Sequence, residues 1–112
     1  PNGLWPDRGG TWVASFGTGE LYFLGNDGKR SRVQKLDAGK LDGVVKTRDG
    51  ALLVASWEAS AILAGRPGEP FERLLSGVES PADIGYDRKR NRLLIPSFSK
   101  DALVLHDLDG SE

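Results

Sequence analysis

The feature that most constrains this chain is that it repeats itself about every 40 residues. The segments Pro1-Asn2-Gly3-Leu4, Leu41-Asp42-Gly43-Val44 and Pro81-Ala82-Asp83-Ile84 recur at a spacing of 40, and Ser15-Phe16, Ser56-Trp57 and Ser97-Phe98 recur at 41. In each copy a new apolar run starts six positions after the Ser, at Leu21, Ile62 and Leu103. Such a period means one small supersecondary unit stacked on copies of itself, because a unit of that size cannot bury its own apolar face.

Each copy reads as four short strands. The first has Leu4-Trp5, Gly43 to Lys46 or Ile84 to Tyr86 at its core. A polar turn follows, Asp7-Arg8-Gly9-Gly10, Arg48-Asp49-Gly50 or Asp87 to Asn91, whose Gly or Asn suits the positive φ of a tight hairpin. The second strand is the most apolar: Trp12 to Ala14, Leu52 to Ala55 and Leu93 to Ile95. A strand without polar alternation is expected to be buried on both faces. The third strand is Leu21 to Leu24, Ile62 to Ala64 or Leu103 to His106, and the fourth is Arg32 to Leu36 or Phe71 to Leu75. The third copy reaches Glu112 before a fourth strand. Four strands in about 40 residues are the pattern of a β-propeller blade. The expected fold is therefore all-β: about three four-stranded blades, the last incomplete, of one partial propeller domain spanning 1–112, with repeats near 1–40, 41–80 and 81–112.

Composition narrows the function classes. Lys plus Arg is 15 against 16 for Asp plus Glu, a net charge of -1 without the basic surface that a nucleic-acid partner requires. Cys is 0 and His is 1, which excludes disulfides, thiolate metal sites, a cysteine nucleophile and any site built from two imidazoles. The longest purely apolar run is Ala51 to Ala55, far short of the roughly 18 residues of a membrane span, so a soluble chain with no membrane partner is expected. Met is 0, so a chain beginning Pro1-Asn2-Gly3 is expected to be processed or to be an excerpt of a longer one. Localisation stays open, export with a removed signal segment included.

Among propeller repeats, the Gly-His and Trp-Asp pairs of the WD type are absent, and kelch repeats run nearer about 50 residues. Pro1-Asn2-Gly3-Leu4, then Leu41-Asp42-Gly43-Val44 followed by Arg48-Asp49-Gly50 and Leu52 to Ser56, resembles the regucalcin/gluconolactonase family of six-bladed propellers. Pro81 to Asp87 with Arg90 to Pro96 is similar to the closing blade of its bacterial relatives. The resemblance runs over the whole chain but only the C-terminal half of a family member. It implies a metal-dependent lactonase-like hydrolase with a divalent cation at the mouth of the propeller channel. Carried over by motif, Asn2 becomes a metal ligand, and Asp42 both a ligand and the catalytic base. Carboxylate and carboxamide oxygens suit Ca²⁺, Mg²⁺ or Mn²⁺ better than Zn²⁺. Such an ion would polarise a lactone carbonyl and help ionise a water. The third copy departs from the motif, with Ala82 at the ligand position and Asp83 displaced from it, and the family's Glu and Asn ligands from earlier blades have no counterpart. The remaining blades are expected from an N-terminal half or from a second copy of the chain.

Other readings stand beside this one. NHL-type propellers share the blade pattern, which leaves a non-catalytic binding module as the alternative. Asn-Gly and Asp-Gly are also ordinary turn dipeptides. Phe16, Trp57 and Phe98 end the second strands and so return to the face carrying Asn2 and Asp42, either to line a substrate pocket, Trp57 first, or to pack between blades. Ser15, Ser56 and Ser97 recur in every copy, which fits a structural hydrogen bond at the strand end better than a catalytic serine. Arg88, Lys89, Arg90 and Arg92 read as a solvated hairpin tip remote from the site, and His106 with Asp107 as surface residues of a third strand. Gly17-Thr18-Gly19 and Gly65 to Gly68 lack the following helix that phosphate cradling needs.

Overall fold

The computed structural model describes residues 3–37, 39–77, 84–97 and 102–108. The apolar runs form strands, and Gly or Asn turns them back: Gly9, Gly50 and Asn91 all adopt positive φ between a first and a second strand. The first sheet contains β1 (Gly3–Asp7), β2 (Gly10–Ala14), β3 (Glu20–Gly25) and β4 (Arg30–Lys35) in that order. The second contains β5 (Leu41–Lys46), β6 (Leu52–Ser56), β7 (Ala61–Gly65) and β8 (Glu72–Ser76). The third, described as three strands, has β9 (Gly85–Asp87), β10 (Arg92–Ser97) and β11 (Ala102–Asp107) in the order β11-β10-β9. Every pairing is antiparallel, with the β3–β4 register shifting between Leu21 and Phe23.

Successive sheets approach each other through their first strands, β1 against β5 and β5 against β9. That arrangement puts the first strands innermost, as in successive blades of a propeller. β1 and β5 begin at one end, here the leading end, and run to the turn end, where they fold back into β2 and β6.

Two apolar clusters lie on either side of the second sheet. One joins Trp12, Ala14 and Leu21 to Leu41, Val44, Leu52, Val54 and Leu63, and the other joins Val45, Leu53, Ala55 and Ile62 to Ile84, Leu93 and Ile95. All five residues of β6 are buried. The expectation of two buried faces fails for β10, where Leu93 and Ile95 are buried but Leu94 and Pro96 are half-exposed, because no described sheet covers their side. The first sheet likewise leaves Leu4 and Val33 exposed at 61% and 51%. Among the described residues no helix is long and apolar enough to cross a membrane.

Candidate functional site at the leading end

The leading end is built from the start of the innermost strands and the loops that follow β2 and β6. Gly3 sits so close to the second sheet that a Cβ there would lie 1.9 Å from the Asp42 carbonyl oxygen. Glycine is therefore required where β1 meets β5. Asp42 is half-buried at the second position of β5, on the innermost strand and at the expected end. Asn2, its expected partner, lies outside the described residues, as do Ala82, Asp83 and Phe98.

Ser56 is the clasp of this end. Fully buried, it donates from Oγ to the Gly39 carbonyl at 2.8 Å and accepts from the Ala59 N–H at 3.1 Å, the structural use expected of the recurring serine. The Trp57 N–H then donates to the Lys40 carbonyl at 3.0 Å, which ties the aromatic to the segment leading into Asp42. Trp57 and Phe16 meet edge to face, with ring centroids 6.3 Å apart, and stay exposed at 40% and 36%. Of the three expected site residues, the structure thus places Asp42 and Trp57 at one end. Sequence reasoning missed Glu58, whose Oε2 accepts from the Gly39 N–H at 3.0 Å. Its only signal was adjacency to Trp57.

Asp42 is the one member of the expected ligand pair within the described residues, and no group of three His, Cys, Asp or Glu side chains gathers among them. The described donors do not by themselves make a metal site.

The turn end has different chemistry. Lys46 Nζ donates to Asp7 Oδ2 at 2.7 Å, a link from β5 to β1, and Trp12 Nε1 donates to the same oxygen at 3.2 Å. The Lys46 hydrogen bond, reinforced by the Arg8 N–H, holds the Asp7 carboxyl below its ordinary pKa. Asp49 is lowered chiefly by the Thr47 hydroxyl. Between the second and third sheets, the Arg48 N–H donates to Tyr86 Oη at 3.0 Å, and Tyr86 in turn donates to Asn91. Arg90 pairs with Asp87 at 2.9 Å on the β9–β10 hairpin, at the end away from Asp42. His106 is half-buried on β11, the described strand farthest from β9 in its sheet.

No protein-family model matches the chain, and no curated protein matches it in sequence. Solved structures do. A nidogen/laminin complex aligns with a TM-score of 0.85 and 16% identity, over 99% of this chain and 45% of the other. A virginiamycin B lyase from Staphylococcus aureus aligns with a TM-score of 0.64 and 16% identity, over 98% and 42%. A streptogramin B lyase gives 0.65 and 14%, over 98% and 41%. The chain spans less than half of each of these neighbours. At such identities the likeness establishes the fold, and the three sheets are blades of a β-propeller.

Proposed function

We propose that this chain is part of a propeller whose leading face binds a protein partner, with the Phe16–Trp57 pair as the anchor. One observation carries the reading: two large aromatics at corresponding positions of neighbouring blades are left in water and brought into edge-to-face contact. Exposed aromatics are what interface hot spots are made of, and the Trp57 backbone is fixed through its N–H to the Lys40 carbonyl, next to Glu58 in sequence. The likeness to a nidogen/laminin complex supports the reading at the level of fold. Three blades spanning 41–45% of the neighbours' length accord with a ring of about six or seven, completed by more of the same chain or by a second copy. The test is affinity capture from native extract with the full-length protein and its Phe16→Ala/Trp57→Ala variant, followed by titration of the captured partner. Each truncation is expected to cost about 2 kcal/mol of binding. Partners retained at unchanged affinity by the double variant would overturn the reading.

A second reading, a metal-dependent lactone hydrolase, rests on the position of Asp42 at this same end of an innermost strand. It needs oxygen donors beyond the described residues, Asn2 and groups from further blades. Calorimetry of the full-length protein with Ca²⁺, Mg²⁺ and Mn²⁺ and a lactone-opening assay of Asp42→Asn check it. Absence of metal uptake, or turnover unchanged in the variant, removes it.

A further inference from the structure

The turn end holds two adjoining cavities of about 550 and 530 Å³, which share Asp7, Lys46 and Gly50. The first is lined from the first and second sheets, and the second by the ends of β1 and β5, the turn after β5 and Arg88. Five cationic side chains line the two, Arg8, Arg32, Lys46, Arg48 and Arg88, against two carboxylates, Asp7 and Asp49. Both carboxylates are engaged: Asp7 by Lys46 and Trp12, and Asp49 by the Thr47 hydroxyl and by Arg66 at 3.7 Å. Arg8 and Arg32, by contrast, make no ion pair with a carboxylate among the described residues.

Arg32 is held in an unusual way. It lies inside β4 with φ 53, a left-handed conformation that residues with a side chain disfavour, beside the register shift between β3 and β4. A glycine would satisfy that backbone, yet an arginine occupies it and lines the cavity. The same cavity has an apolar wall of Trp12, Phe23 and Pro67, the first two in edge contact at 5.0 Å.

We infer that this inter-blade cleft binds a small organic anion, a phosphate or carboxylate carried on a planar ring. Arg8 and Arg32 meet the charge, and Phe23 and Pro67 take the ring. A guanidinium offers a planar fork of donors matched to either anion, and a ring edge or face packs well on Phe and Pro. The cleft is at the opposite end from Asp42 and Trp57, so this assignment stands independently of the leading-face reading.

The probe is phenyl phosphate, titrated into the ¹⁵N-labelled full-length protein and followed at the Trp12 indole N–H, with inorganic phosphate and phenol as controls. A saturable shift is expected, with phenyl phosphate about tenfold tighter than either control and weakening as salt is added. Arg32→Gly suits the backbone and keeps the fold while removing the charge, so it is expected to weaken phenyl phosphate about tenfold. Arg8→Gln is expected to weaken it several-fold with the rest of the spectrum unchanged. The inference is overturned if the shift does not saturate, if inorganic phosphate or phenol binds as tightly as phenyl phosphate, or if Arg32→Gly binds like the parent.

Discussion

In the second sheet every residue of β6 is buried, whereas in the third sheet β10 buries Leu93 and Ile95 and leaves Leu94 and Pro96 half-exposed. The two strands carry nearly the same apolar sequence. Their difference lies in their neighbours: β6 has the first sheet's cluster on one side and the third sheet's on the other, while β10 has a described partner on one side alone. For these two strands the second face is buried only where a further sheet packs on it, whereas β2 of the first sheet already buries Trp12, Val13 and Ala14 in succession.

The largest effect that separates the two sheets is expected from Leu53→Ala against Leu94→Ala. Leu53 is 3% exposed within the cluster facing the third sheet, and truncating it is expected to cost about 2–5 kcal/mol. Leu94→Ala is expected to cost about 1 kcal/mol or less while its face stays uncovered. Denaturant unfolding of both variants checks this, and equal losses would mean that a further blade covers the third sheet.

Next comes Gly3→Ala, which probes the junction that makes the second sheet central. A Cβ at 1.9 Å from backbone oxygen cannot be accommodated without moving β1 off β5, at a cost of about 3 kcal/mol. A loss below about 0.5 kcal/mol by thermal melting would show that the close approach is absent in solution.

Ser56 and Ser15 compare the clasp between sheets. Ser56→Ala leaves the Gly39 carbonyl and the Ala59 N–H without their buried partner and is expected to cost about 1–2 kcal/mol. Ser15 is half-buried, with no side-chain hydrogen bond among the described residues, and Ser15→Ala is expected to stay within about 0.5 kcal/mol. Matching losses in urea titrations would remove the special role of the second clasp.

The smallest effect is electrostatic. The folded pKa of Asp7 lies below its unfolded value, so the stability that it contributes is present above the ordinary carboxylate pKa of about 3.9 and fades as pH falls through the lower folded value. With Asp7 and Lys46 side chains 25% and 35% exposed, solvent screening limits the pair to about 1 kcal/mol or less. Lys46→Met is expected to flatten that part of the acid unfolding curve, and an unchanged curve would show that the link between the first and second sheets carries no energy.

The strands, their order within a blade and the turns were legible in the residues because each is a local matter. Apolar runs of strand length between Gly or Asn turns leave few alternatives, and Gly9, Gly50 and Asn91 took the positive φ their turns required. The candidate site was legible only in part. The reversal from β5 to β6 places Asp42 and Trp57 at one end, and the 41-residue spacing brings Phe16 to Trp57, since equivalent positions of successive blades share a level along the ring axis. Glu58 and the Arg32 backbone had no comparable signal, because a side chain's choice of backbone partner and a register shift within a sheet leave no mark in the apolar pattern, and the cavities at the turn end had none because they depend on how one blade leans on the next.

By itself, then, the sequence determined an all-β chain of repeated blades, through a 40-residue period that no single unit can satisfy alone. Tertiary structure alone decided that β6 is buried throughout while β10 leaves Leu94 and Pro96 half-exposed, that Gly3 has no room for a Cβ, and that Arg8 and Arg32 face a cleft with no ion pair to a carboxylate among the described residues. The physical reason is range. Strand and turn preferences act over a few residues, whereas burial, close approach and charge balance are sums over atoms that the chain brings together from 40 residues apart.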